Sequence, residues 1–245
     1  MLFRSSHAWE PLPAGVVGLS GALACALVVG YPTLRLRGHY LAMATLAIGL
    51  IVYEVAVQWG SVTQGYMGIS GIPPLGIGRW TVTSDRAVLV LLVLSAALAV
   101  LAAAGIRRSR LGRALVAIAG SEDAARALGI DVAHYKLIAL LISALYAGVA
   151  GSLFVHAVGF VSPEVYGLHM VVLAFTMLYV GGIGTVTGSA LGALVIALLP
   201  ETIRALSDYQ DLVYGALLIL ILIYAPGGLA SLSQFWSSSR RKEGA

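Results

Sequence analysis

Long apolar runs separated by short polar islands dominate the chain. The runs fall at about 14–31, 40–59, 87–106, 136–158 and 211–226, with a longer one from 168 to 200. Most approach the ~20 residues a helix needs to cross ~30 Å of hydrocarbon. The 168–200 run has 33 residues. As one helix it would reach roughly 50 Å at 1.5 Å per residue, too long for a single span. It contains GGIGTVTG at 181–188, a natural break. The pattern therefore predicts two shorter helices meeting near Gly184, with a re-entrant pair at that point as the alternative. The fold class that follows is all-α: a polytopic integral membrane protein of about seven transmembrane helices. One transmembrane domain is expected over 1–236, followed by a basic tail over 237–245.

Charge gives the expected orientation. If the N-terminus lies outside and each run crosses once, the inner segments hold Arg35 and Arg37; Arg107, Arg108, Arg110, Arg113, Arg126 and Lys136; and Arg240, Arg241 and Lys242. Only Arg4, Arg79, Arg86 and Arg204 fall outside, an asymmetry of the kind that sets membrane topology. Composition agrees: 59% of the 245 residues are hydrophobic and 11% charged, where a soluble domain carries about a quarter charged. The net charge of +4 sits in the flanks of apolar runs, and reads as topology rather than as a nucleic-acid footprint. The one cysteine, Cys25, can form neither an internal disulfide nor a metal cluster. No cleavable leader is expected from MLFRSSHAWEPLP. The loop 60–86, rich in Gly and Pro, is expected outside as a short surface helix or irregular loop.

The inner segment 107–136 is the most structured polar stretch. RRSRLGRALVAIAG is basic with an apolar face, as in a helix lying along the inner surface. Ser121 then caps a short helix whose first turn holds Glu122 and Asp123, favourable against the positive end of the helix dipole. Ala124, Ala125, Arg126, Ala127 and Leu128 are good helix formers, Gly129 suits a left-handed stop, and Asp131 can cap the next span. On these grounds alone an ordinary cytoplasmic loop is an equal alternative to a docking element.

The series Glu122-Asp123-Ala124-Ala125 followed by Gly129 is similar to the coupling-helix motif of ABC importer membrane subunits. GRALVAIAGSEDAARALGIDVAHYKLIALLISALYAGVAGSL resembles branched-chain amino acid ABC permeases of the LivM type, as do LRLRGHYLAMATLAIG at 34–49, GFVSPEVY at 159–166, GGIGTVTGSALGA at 181–193 and YAPGGLASL at 224–232. The resemblance implies that the short helix, through Ser121, Glu122, Asp123, Ala124, Ala125 and Gly129, docks on a separate ATP-binding cassette ATPase. ATP and Mg would be bound there, and no cofactor by this chain. It also implies a second permease subunit of the LivH type, a periplasmic substrate-binding protein, and residence in a bacterial inner membrane. The chain has no G-x-x-x-x-G-K-[ST] phosphate loop, which fits that division of labour. It departs from the family at Leu50, where many members carry an acid, and at Ala119-Gly120, where many have a charged pair. Family members usually carry about three more spans before LRLRG, so a shortened or truncated start is expected.

Two further residue sets stand out in the sequence. Gly184, Gly188 and Gly192 recur every four residues, which allows close helix approach, and Gly148 and Gly151 can serve similarly. Glu54 is the one acid placed within a span, with Tyr53 beside it and Gln58 one turn on. Buried charge in lipid is costly and tends to face a cavity, so these three are candidates for a substrate pathway; a helix-end carboxylate reaching the interface is the alternative. His156 and Thr176 are weaker candidates. The expected function is thus a non-catalytic permease subunit importing branched-chain amino acids or a related small polar solute. Urea or short amides are the first alternative, and an ion-gradient-driven secondary transporter is the second. A membrane enzyme is disfavoured because the five histidines are scattered and neither H-E-x-x-H nor G-x-S-x-G occurs.

Overall fold

The structure, a computed structural model, describes residues 11–33, 36, 38–74, 76–77, 80–81, 84–202, 215–216, 219–220 and 223. Among them, five segments are long and apolar enough to cross a membrane: Gly15–Pro32, Tyr40–Gln58, Asp85–Arg108, Val132–Val158 and Pro163–Gly181; Val186–Leu199 is a shorter apolar helix. The protein is thus an all-α polytopic membrane protein. The last expected run, 211–226, lies outside the described residues except for five helical positions. The tail at 237–245 and the YAPGGLASL stretch also lie outside them. Contacts gather in two compact units, residues 1–167 and 168–245, which are taken in turn.

Among the described residues the first unit contains seven α-helices: α1 (Pro11–Thr33), α2 (His39–Gln58), α3 (Gly60–Thr63), α4 (Asp85–Arg108), α5 (Arg110–Gly120), α6 (Glu122–Ala127) and α7 (Val132–Val158). α1 and α7 run antiparallel in close contact, with small residues setting the approach. A Cβ on Gly148 would lie 2.8 Å from Leu19 Cδ1, and one on Gly30 would overlap Leu140 Cδ2. Along α4, Asp85 stands in the first turn and Arg107 and Arg108 in the last, each matching the helix dipole. Leu94, Leu98 and Leu101 stay more than half exposed, as expected of a helix that meets lipid rather than a protein core.

At the basic end of α4 the chain turns at Ser109, whose Oγ accepts from Gly112 N at 3.3 Å and starts α5. Gly112 makes this turn possible: a Cβ there would collide with the carbonyl oxygens of Ile106 and Arg107. At the other end, two connecting segments are tied together. β1 (Ile69–Ser70) pairs antiparallel with β4 (Phe160–Val161), with Ile69 opposite Val161, and Ile72 N donates to Gly159 O at 3.2 Å. Gly68, at φ 65°, allows this pairing, because a Cβ would sit 2.9 Å from both Phe160 and Ser162 side-chain atoms. Ile69, Ile72 and Val155 form a small apolar cluster beneath it. A second two-stranded piece, β2 (Gly76–Ile77) with β3 (Trp80–Thr81), completes the loop. The segment expected as a short helix or irregular loop therefore contains α3, a 3₁₀ turn at Gly65–Met67 and paired strands.

Over its described residues 168–202, the second unit forms a helical hairpin of α8 (Leu168–Gly181) and α9 (Val186–Thr202), joined by residues 182–185. Val180 and Ile196 are fully buried between them, with Leu173, Met177 and Leu199 packed alongside. Gly182 and Gly184 take φ 110° and 79° in the turn, conformations that favour glycine. The long apolar run thus breaks at the expected place. At about 26 Å the second arm is shorter than the ~30 Å hydrocarbon core, while the first, about 21 Å of α-helix, belongs to the apolar segment Pro163–Gly181 that is long enough to cross.

Candidate functional sites: a short capped helix and a polar face

α6 is a discrete element closed at both ends by its own sequence. Ser121 is the N-cap, its Oγ accepting from Ala124 N at 3.3 Å. At the C-terminal end, Gly129 N donates to Arg126 O at 2.9 Å and Ile130 N to Ala125 O at 3.0 Å. With Gly129 at φ 81°, this is the Schellman pattern of helix termination. Asp131 then caps α7 by accepting from His134 N at 3.2 Å. Arg126 pairs with Asp123 at 3.3 Å and with Glu122 at 3.4 Å, and Lys136 Nζ, from α7, donates to the other oxygen of Glu122.

One residue of the expected docking set faces inward. Ala125 is 1% exposed, packed with Ile118 of α5 and Val132 of α7 and flanked by Ile130 and Tyr135. It seats the helix, because a short helix buries its smallest apolar side chain against the elements it rests on. The outward surface holds Ser121, Asp123, Ala124, Ala127 and Gly129. Leu128, 80% exposed, belongs with them, although its residue type in the sequence marks it only as a helix former. The signal for it in the sequence is a large apolar side chain at the C-cap of a short helix that otherwise carries only charged residues and alanine.

The polar set on α2 divides in two. Gln58 Nε2 donates to Glu54 Oε1 at 2.7 Å, and the pair lines a shallow depression with Ile51, Val55 and Trp59 on an exposed helix face. Tyr53 points elsewhere. Its ring packs near Gly167, with Tyr66 and Glu164 close to the hydroxyl. Helix geometry separates neighbouring residues by about 100°, so Tyr53 and Glu54 cannot share a face. Of the weaker candidates, His156 is buried with Nδ1 2.7 Å from Ser152 O, and Thr176 is fully buried with its hydroxyl donating to Val172 O at 2.8 Å; both bond back into their own helices.

The glycines also separate by role. A Cβ on Gly192 would lie 2.6 Å from Gly181 N and overlap Met177 O, and Gly188 and Gly181 are equally tight against each other. Gly184 is not on that face: it lies in the turn, with no described atom within 4 Å of where its Cβ would be. The close row is therefore Gly188 and Gly192 against Gly181. Gly148 meets Leu19 and Ala22 of α1, whereas Gly151 has only the Tyr166 hydroxyl at ordinary contact, 3.9 Å.

A capped helix among basic residues, on a bundle of apolar spans, belongs with membrane transport permeases, and comparison with known proteins agrees. The family model described as "Branched-chain amino acid transport system / permease component" matches residues 1–222, and the chain belongs to that family. It is 34% identical to the high-affinity branched-chain amino acid transport system permease protein LivM of Escherichia coli K12, over 92% of this chain and 58% of that protein. It is 30% identical to LivH of the same strain, over 94% of this chain and 77% of that protein. To the ribose import permease RbsC of that organism it is 32% identical over 48% of this chain and 39% of the other. The chain thus spans little more than half the length of the LivM proteins it matches. No solved structure matches.

Proposed function

We propose that this chain is a membrane subunit of an ABC importer in a bacterial inner membrane, moving branched-chain amino acids or a related small polar solute. ATP and Mg would bind to a separate ATPase pair, with a second permease subunit and a periplasmic binding protein completing the assembly. Family membership supports the solute class. The observation that carries the mechanism is α6, a two-sided helix with its inner side seated on Ala125 and its outer side presenting Asp123 and Leu128. Such an element can enter a groove of a soluble partner without unfolding its own attachment. The exposed Glu54–Gln58 face supports a pathway reading, since an acid in a span is stabilised by a cavity or a covering protein.

Co-purification with the candidate ATPase subunits tests the docking reading. Leu128→Asp and Asp123→Arg are expected to weaken retention at least tenfold and to lower ATP-driven uptake in parallel, since both change the outward side and leave the Ala125 seat intact. Full retention by both variants would rule it out. Uptake competition among leucine, urea and short amides then identifies the solute.

A further inference from the structure

Glu122 is used twice. One carboxylate oxygen takes Arg126 of its own helix, and the other takes Lys136 from the second turn of α7. The Lys136 side chain is 16% exposed, so its four-carbon stem is packed and its ammonium is committed to this contact. The link between the two helices is short and capped at both ends, by the turn at Gly129 and by Asp131. Beneath it, Ala125 and Val132 share one apolar cluster. α7 then runs 27 residues, about 40 Å, to Gly159, whose carbonyl holds Ile72 beside the β1–β4 pair. A single helix therefore joins the short cytoplasmic element to the stapled outer loop.

We infer that Lys136 is a positioning residue: through Glu122 it locks α6 onto α7, so that a displacement of α6 is delivered into α7 and towards the outer loop instead of being absorbed at the link. The inference rests on the docking reading above. Ile118 of α5 shares the apolar seat, so packing alone would let α6 follow either neighbour. The ion pair to Lys136 is what selects α7.

Two measurements test it in the assembled transporter, in proteoliposomes. Lys136→Met keeps the packed stem and removes the charge. ATPase co-purification and hydrolysis are expected to persist, while solute imported per ATP falls about five- to tenfold, a typical coupling loss; Lys136→Arg is expected to recover it to within about twofold. Separately, nitroxide labels at the exposed positions Ala124 and His134, in a Cys25→Ser background, are expected to give a narrow distance distribution that broadens in Lys136→Met. Unchanged import per ATP together with an unchanged distribution would overturn the inference and leave docking untouched. Loss of ATPase co-purification by Lys136→Met that Lys136→Arg does not reverse would overturn it in favour of a purely folding role. Failure of the docking reading has a different mark: Leu128→Asp and Asp123→Arg retaining the ATPase.

Discussion

Glycines 184, 188 and 192 share a spacing but differ in what they do, and the difference is measurable. Gly192 lets a backbone carbonyl and amide of the facing helix approach within the volume of a side chain. Gly192→Val should therefore cost on the order of 1–3 kcal/mol as overpacking. Gly184→Ala meets open space and only the left-handed backbone opposes it, at about 1 kcal/mol. Thermal unfolding of the purified protein in detergent should rank the two that way. Equal losses would mean that the row acts as one packing surface after all. The four-residue period was visible in the sequence, but it presumes an unbroken helix. Gly181, the partner that makes Gly188 and Gly192 necessary, precedes the turn and comes into register only once the hairpin folds.

At the scale of elements, α6 separates local from non-local determinants. Its two caps are short-range chemistry: a hydroxyl three residues before an amide, and a glycine at the one position with positive φ. Ser121→Ala should loosen the start of the helix by about 1 kcal/mol. Ala125→Trp should do more, since it forces an indole into a site 1% exposed between Ile118 and Val132. Limited proteolysis within 121–131 is the readout, expected to rise modestly for Ser121→Ala and sharply for Ala125→Trp. If Ala125→Trp were cut no faster than the parent, the buried seat would be wrong. Family resemblance places Ala125 in the docking set, but alanine is equally at home on a helix surface or beneath it, and only the packing of α5 and α7 buries it.

At the scale of the whole molecule, the outer-loop pairing bears on orientation. The pairing of β1 with β4 brings together two segments, 60–86 and 159–167, that the charge distribution assigns to the same outer side. Single cysteines in a Cys25→Ser background should report this directly. Met67→Cys, at a position 86% exposed, should react with an impermeant maleimide from the periplasmic side; Asp123→Cys should react only after the cytoplasmic side is opened. The reverse pattern would invert the topology.

By itself the sequence determined the class of protein, the break near Gly184 and both ends of α6; of the about seven spans it predicts, five are matched by segments long and apolar enough among the described residues. Each of these depends on hydrophobic length, charge balance or contacts within a few residues. Tertiary structure decided which side of α6 is seat and which is surface, that Tyr53 turns to Gly167, that Gly181 completes the glycine row, and that Lys136 reaches Glu122 across fourteen positions. Those are contacts between residues distant in the chain or facing apart on one helix, and they exist only when packing has fixed the direction of each side chain.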